Sequence, residues 1–299
     1  MRLASIDIGT NTIRMLVSER KGKTTRPLAR FTRIIGLGRR LRDTGNIGEP
    51  EFNEAIETLR RFRQEMDLLG VDSYRSCGTA CLREAVNRGQ FLSAATEAGV
   101  ITETISPAEE GRFVWEGIRR TISVRTGDIV ADIGGGSTEF TAGPEPGESV
   151  SLPVGVVVMS TLLPLSDPPQ AWEWETLSLY AKTRIEDGTK IFGHGKKRRL
   201  IGTAGTFTTL LALEKRMTRY EPDKINGAVL PKETVIRWAK RLAGMTDAER
   251  LLLPGMEKGR ERYMVPGMAM IVAALNRFGA GSLIISDAGI LEGIIASIG

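Results

Sequence analysis

The spacing of apolar residues along this chain changes several times, and each change marks an element. Residues 2–8 and 12–18 are apolar, β-rich and joined by Gly-Thr-Asn, which predicts a hairpin. Over residues 49–69 the period lengthens: Phe52, Ile56, Leu59, Phe62, Met66 and Leu69 recur at helical spacing. A strand near 71–77, a helix from about 79, a helix over roughly 90–98 and a strand at 101–105 follow. The next helix opens with Ser106 as its N-cap and Pro107 at its first position, and Glu109 and Glu110 stand in its first turn.

After Thr126-Gly127 the pattern restarts. Strands at 128–132 and 136–142 flank a glycine-rich turn and echo the N-terminal hairpin, with Asp-Ile-Gly at 7–9 and again at 132–134. This internal repeat predicts two similar domains, residues 1–124 and 125–299, with the last helix able to pack back toward the first. Helices are expected around 168–190, 204–216, 231–243, 258–278 and 287–298, and strands at 199–203 and 282–285. The alternation of strands and helices indicates α/β layers. The stretches 143–148 and 165–172 read as turn-rich loops.

Composition narrows the partners. The net charge of +5 and the pI of about 9.3 favour anionic ligands such as nucleotides, polyphosphates, nucleic acid or a membrane surface, without choosing among them. Lys196-Lys197-Arg198-Arg199 is the densest basic run and reads as a solvated loop before a strand. No apolar run approaches the ~20 residues that span a bilayer, and the N-terminus does not have the form of a signal peptide. Cys77, Cys81 and the single His194 cannot build a usual structural zinc site. The two cysteines read as reduced thiols of a cytoplasmic protein.

Three glycine turns carry the candidate chemistry: Gly9-Thr10-Asn11, Gly134-Gly135-Gly136-Ser137-Thr138 and Gly202-Thr203-Ala204-Gly205-Thr206. Successive N–H groups in such turns can point into one concavity and bind an anion, and the hydroxyl and amide side chains add donors. None is a Walker A loop or a dinucleotide fingerprint, and all three are expected to lie between strands. Phosphates held by amides keep charge that a divalent cation can neutralise. Asp7 and Asp132, at strand ends beside the first two turns, are candidate Mg²⁺ ligands, with Glu139 as a third contact. Hydrolysis also needs a group to orient or deprotonate water. Glu110 is that candidate, although a helix N-terminus favours carboxylates for its own reasons. Arg83 is a candidate phosphate clamp.

The segments ASIDIGTNTIRMLV, GTACLREAVN, SPAEEGRFVWEG, VADIGGGSTEF, GTAGT, AERLLLPGMEKGRERYMVPGMAM and SDAGILEGII, in this order, resemble the exopolyphosphatase / guanosine pentaphosphate phosphohydrolase (Ppx/GppA) family in its short, two-domain form. The resemblance runs through essentially the whole chain. It implies two ribonuclease-H-like domains of the actin-like ATPase and sugar-kinase superfamily, facing an inter-domain cleft. It implies Glu110 as the catalytic glutamate that activates water, and Asp132 and Glu139 as metal-associated positions. Gly9, Thr10 and Asn11 match the first phosphate loop and Arg83 a cleft arginine. The implied activity is Mg²⁺-assisted release of terminal phosphate from polyphosphate, guanosine pentaphosphate or both. No membrane or nucleic-acid partner is implied, and a homodimer is left open. Two departures stand out. Pro107 and Ala108 replace a glycine and an acid of the usual pattern. IGLGRRL replaces R-L-G-E-G-L, so an arginine is lost at Gly36 while Arg39 and Arg40 appear, which bears on substrate preference.

Two other readings remain open at this point. Gly202, Gly205 and Thr206 could form the nucleotide-side loop of an ATP-dependent kinase of the same superfamily. The chain could also bind polyphosphate or guanosine tetra- and pentaphosphate as a sensor without turning them over.

Overall fold

The computed structural model describes residues 1–22, 24–143, 148–193, 197–219 and 221–299. His194, Lys196 and the centre of the 143–148 loop lie outside these. The chain divides into two compact units: residues 1–117 with 289–299, and residues 118–288. Compared with the sequence division at 124/125, the first boundary falls earlier and the last eleven residues fold with the first unit.

The first unit is built on strands β1 (Arg2–Ile8), β2 (Thr12–Lys21), β3 (Thr24–Ile34), β4 (Ser73–Gly78) and β5 (Thr102–Thr104), in the order β3-β2-β1-β4-β5. β1 pairs antiparallel with β2 and parallel with β4, and β4 pairs parallel with β5. Residues 3–8 are buried without alternation, as in a central strand covered on both faces. The helix Glu49–Leu68 buries Ala55, Leu59, Phe62 and Met66. The helix Ile290–Ser297 packs on β1, β2 and β4, burying Ile290, Leu291, Ile294 and Ile295. Arginines hold it there. Arg20 donates to the carbonyls of Ile298 (2.7 Å) and Ile295 (2.6 Å), Arg75 donates to Ser297 Oγ (2.8 Å), and Arg30 pairs with Glu292.

The second unit repeats the plan. Its strands are β6 (Ile129–Ile133), β7 (Thr138–Ala142), β8 (Ser149–Leu152), β9 (Leu200–Thr203), β10 (Ala228–Pro231) and β11 (Ser282–Ile285). Read as β8-β7-β6-β9-β11, the order and strand directions match the first sheet, with β10 added antiparallel at the edge. Each unit therefore has the ribonuclease-H-like arrangement of actin-like domains. The core of the second unit is gathered around the helix Met264–Arg277, which is buried along nearly its whole length.

The topology sets where function can sit. β1, β4 and β5 run parallel, so the segments leaving their carboxyl ends (9–11, 79–83 and 105–110) emerge at one edge of the first sheet. β6, β9 and β11 do the same for residues 134–137, 204–206 and 286–288 in the second. Among the described residues, no helix is long and apolar enough to cross a membrane.

Several elements differ from expectation. The helix expected over 258–278 begins only at Met264. β3 was not expected: it is an edge strand with Arg26, Arg30 and Arg33 exposed and Pro27 beside a bulge, so no apolar alternation marks it. β8 and β10 are four-residue strands at or near an edge. Val156–Leu162, rich in β-branched residues, forms a helix.

Candidate active site

The two Asp-Ile-Gly hairpins share one pairing register. In the first, Ile8 pairs with Ile13 and Asp7 with Arg14; in the second, Ile133 pairs with Thr138 and Asp132 with Glu139. Each loop closes with the same bond: Gly9 N–H donates to Thr12 O (2.9 Å), and Gly134 N–H to Ser137 O (3.0 Å). The four-residue loops are therefore 9–12 and 134–137. Thr138 is the first residue of β7, and its hydroxyl donates to Val154 O at 2.6 Å rather than facing the loop.

The backbone around each loop directs its amides. Gly134 O accepts from Val156 N–H (3.0 Å), and Gly135 O accepts from Val157 N–H (2.9 Å). The carbonyls thus satisfy the first orphan amides of the helix Val156–Leu162, which is why a β-branched run is helical there. In a trans peptide the next N–H points opposite to the carbonyl. The amides of Gly135 and Gly136 are thereby turned away from that helix, and they donate to no carbonyl among the described residues. In the first loop, Asn11 O accepts from Ile35 and Gly36 N–H (2.9 Å each) and Thr10 O from Gly38 N–H (2.9 Å), while the amides of Thr10 and Asn11 have no backbone acceptor among the described residues. Asn11 Oδ1 is buried without a hydrogen-bond partner. Both loops keep the amide donors that an anion needs.

The acids differ between the repeats. Asp7 is buried and ion-paired with Arg14, whose Nη2 lies 2.6 Å from Oδ2. Glu139 occupies the position equivalent to Arg14. It stands directly across from Asp132 on one sheet face, and Ser151 Oγ on β8 donates to its Oε1 at 2.7 Å. One hairpin therefore carries an acid–base pair and the other a pair of carboxylates. Among the described residues, no group of three or more His, Cys, Asp or Glu side chains is gathered for a metal. Two hard-oxygen donors on one face still suit Mg²⁺, which takes one or two carboxylates and completes its shell with water and phosphate oxygens.

Glu110 is separated from its neighbour by the cap. Glu109 Oε2 accepts from Ser106 N–H (3.0 Å) and Oγ–H (2.8 Å), and Ser106 Oγ accepts from Glu109 N–H (3.2 Å). This reciprocal capping box holds the Glu109 carboxyl below its usual range, chiefly through the Ser106 amide. Helix electrostatics thus falls to Glu109. Glu110, 8% exposed, receives Arg83 Nη1 on Oε2 at 2.7 Å, and the same nitrogen donates to Ile105 O at 3.1 Å. Thr79 joins this corner to the first loop, its N–H donating to Ile8 O (3.1 Å). Cys81 feels the charges of Asp7, Glu110 and Arg83 together. Burial, with Asp7 adding to it, pushes its thiol up to about 12, so it stays protonated and is no nucleophile.

The third turn lies between strand β9 and the helix Gly205–Glu214, not between two strands. Ala204 precedes that helix at φ 74°, a conformation unusual for a residue with a side chain. Thr203 Oγ1 donates to Ala288 O (3.0 Å). Arg260 packs so closely on Gly205 that a Cβ there would meet its Nη1 at 1.7 Å. Arg14, Ser151 and Arg260 were not singled out from the sequence. Arg14 was legible in the repeat, since it follows Asp7 by the same interval as Glu139 follows Asp132. Arg260 had no local signal.

Comparison with known proteins gives the family. The model of the Ppx/GppA phosphatase family matches residues 16–298. Exopolyphosphatase 2 of Mycobacterium tuberculosis is 30% identical over 99% of this chain and 98% of its own length. The Aquifex aeolicus PPX-GPPA enzyme structure is 29% identical, covers 99% of both chains and has a TM-score of 0.84. An exopolyphosphatase structure from Cytophaga hutchinsonii, 24% identical with a TM-score of 0.91, covers all of this chain and 97% of its own and has the same fold. By family match and by full-length identity, this chain belongs to the Ppx/GppA phosphatase family.

Proposed function

We propose that this chain is a hydrolase that cleaves the terminal phosphoanhydride bond of inorganic polyphosphate. Guanosine pentaphosphate presents the same kind of terminal anhydride and is the second substrate of this reading. The observation that carries it is the Arg83–Glu110 pair, a buried carboxylate fixed at 2.7 Å from a guanidinium. It stands at the sheet edge where the amides of the first glycine loop are also free.

Phosphoryl transfer passes through a loose transition state, so positioning and charge neutralisation carry most of the catalysis. The amides of Thr10 and Asn11 hold non-bridging oxygens of the chain end, and the second unit offers the same kind of donor in the amides of Gly135 and Gly136. Glu110 accepts a hydrogen bond from the attacking water and takes its proton as the new P–O bond forms. The bridging P–O bond breaks, and the shortened chain leaves with that oxygen. Arg83 fixes the Glu110 carboxylate and presents its remaining donors to a phosphate oxygen. Asp132 and Glu139 would hold Mg²⁺, which when bound supplies charge neutralisation at the phosphate oxygens. Ser151 orients the Glu139 carboxylate, and Asp7, committed to Arg14, braces the first loop. Gly202, Gly205 and Thr206 take the nucleotide side when the substrate is a guanosine phosphate. The unbridged thiols of Cys77 and Cys81 suit a cytoplasmic setting.

The test is Glu110→Gln, which keeps the side chain's shape and an acceptor for Arg83. Circular dichroism and polyphosphate binding are expected to match wild type, while phosphate release falls by roughly 10²–10⁴-fold. Turnover near wild type would remove Glu110 from this role.

A further inference from the structure

The first glycine loop is tied to a segment that takes no part in the chemistry above. Residues 35–48 contain Arg39, Arg40 and Arg42 against the single carboxylate Asp43. All three arginines are exposed, and none lies within ion-pair distance of a carboxylate among the described residues. Arg40 Cδ and Glu51 Oε2 both come close to Gly48, yet no ion pair forms between them. Guanidinium groups carried on one short segment repel one another, and binding of an anion along that segment relieves the repulsion.

The segment is also held firmly. At one end Ile35, Gly36 and Gly38 donate to the carbonyls of Asn11 and Thr10. Gly36 sits at φ +80°, and a Cβ there would meet Arg39 Nε at 2.5 Å, so the Arg39 side chain lies folded over it. At Gly38 a Cβ would meet Thr10 Cγ2 at 2.2 Å. At the other end Gly45 O accepts from Val86 N–H (2.9 Å), and Asn87 exchanges two hydrogen bonds of 3.0 Å with Ile47. Residues 85–87 follow directly on the helix that carries Arg83. The arginines therefore sit on a braced strip that runs from the phosphate loop to the Arg83–Glu110 corner, entirely within the first unit.

We propose that Arg39, Arg40 and Arg42 form a distal anion track. It holds the phosphate residues beyond the one being hydrolysed, and so gives the enzyme a preference for long polyphosphate over short. This rests on the substrate reading above. A chain of three phosphates is spent on the first glycine loop and the Arg83–Glu110 corner and leaves little to reach the track, whereas a long chain engages both.

The test compares long-chain polyphosphate with tripolyphosphate on the full-length protein, using the triple variant R39Q/R40Q/R42Q. An equal-charge control, R60Q/R61Q/R237Q, removes exposed arginines elsewhere. Binding is measured by calorimetry and turnover by phosphate release. Three exposed charge contacts, each of modest worth, predict a loss of about tenfold in affinity and kcat/KM for long polyphosphate. Tripolyphosphate should change by less than about twofold, and the control should follow wild type. The salt dependence of long-chain binding should also flatten in the triple variant, because fewer counterions are released. An equal loss for both substrates, no loss for either, or the same loss in the control would overturn the track. The binding arm decides this whether or not the chain turns over. A wild-type protein that binds both substrates and releases no phosphate would instead refute the hydrolase reading.

Discussion

Gly155 offers a direct test of whether the second glycine loop must hold its shape. Its φ of −132° and ψ of 178° are open to any residue, so replacement carries no backbone penalty of its own. The space is another matter. A Cβ at 155 would stand 2.3 Å from Gly135 O, 2.4 Å from Gly135 C and 2.6 Å from Gly134 O. These are backbone atoms of the loop and cannot rotate aside. To restore ordinary contact at ~3.4 Å, the loop and the start of the Val156–Leu162 helix must separate by about 1 Å. That movement stretches the bonds from Val156 and Val157 to the loop carbonyls. Overpacking of this kind costs about 1–3 kcal/mol of stability. A displacement of ~1 Å in a positioning group can cost about 10²-fold in rate. Gly155→Ala is therefore expected to fold with a lowered Tm and to release phosphate roughly a hundredfold more slowly at saturating polyphosphate. Gly89→Ala is the control: nothing lies within 4 Å of its Cβ position, and it sits in the helix Arg88–Glu97, where alanine is favoured. A Gly155→Ala protein with wild-type turnover would show that the amides of the 134–137 loop do not position the reacting phosphate.

Two further outcomes are expected. Glu109 is held below its ordinary value of 4.5 by the Ser106 amide, so its contribution to stability is present above about pH 4.5 and is lost as pH falls through the lower folded value. Thermal melts from pH 6 downward should lose part of their acid slope in Glu109→Gln, and an unchanged slope would contradict the capping role. Burial pushes both thiols up to about 12, so native protein at pH 8 should resist a thiol reagent until denatured. Rapid labelling of the folded chain would show Cys77 or Cys81 to be accessible.

What could be read from the sequence was local. The β1–β2 and β6–β7 hairpins and the helix Glu49–Leu68 were legible because their side chains repeat at the period of their own element. The helix start that carries Glu110 and the turns at 9–12 and 134–137 were legible because a capped helix start and a strand–glycine–strand turn each leave a signature within a few residues. The Val156–Leu162 helix was not legible, because the carbonyls that anchor it belong to a loop 22 residues earlier. Nor was the commitment of Asp7 to Arg14, since a cross-strand ion pair needs register as well as composition. Arg260 reaches Gly205 only through tertiary packing.

The docking of residues 289–299 on β1, β2 and β4 has a consequence for how the protein is made. Residues 118–288 form one uninterrupted compact stretch that holds all of its own strands and helices when it leaves the ribosome. The earlier-made lobe must wait for its final helix through the synthesis of that whole stretch, roughly ten to thirty seconds at ordinary translation speeds. During that interval the surface meant for Ile290, Leu291, Ile294 and Ile295 stands bare. A nascent-chain chaperone would find its apolar target there, and a recombinant fragment ending at residue 117 would inherit the same exposed face.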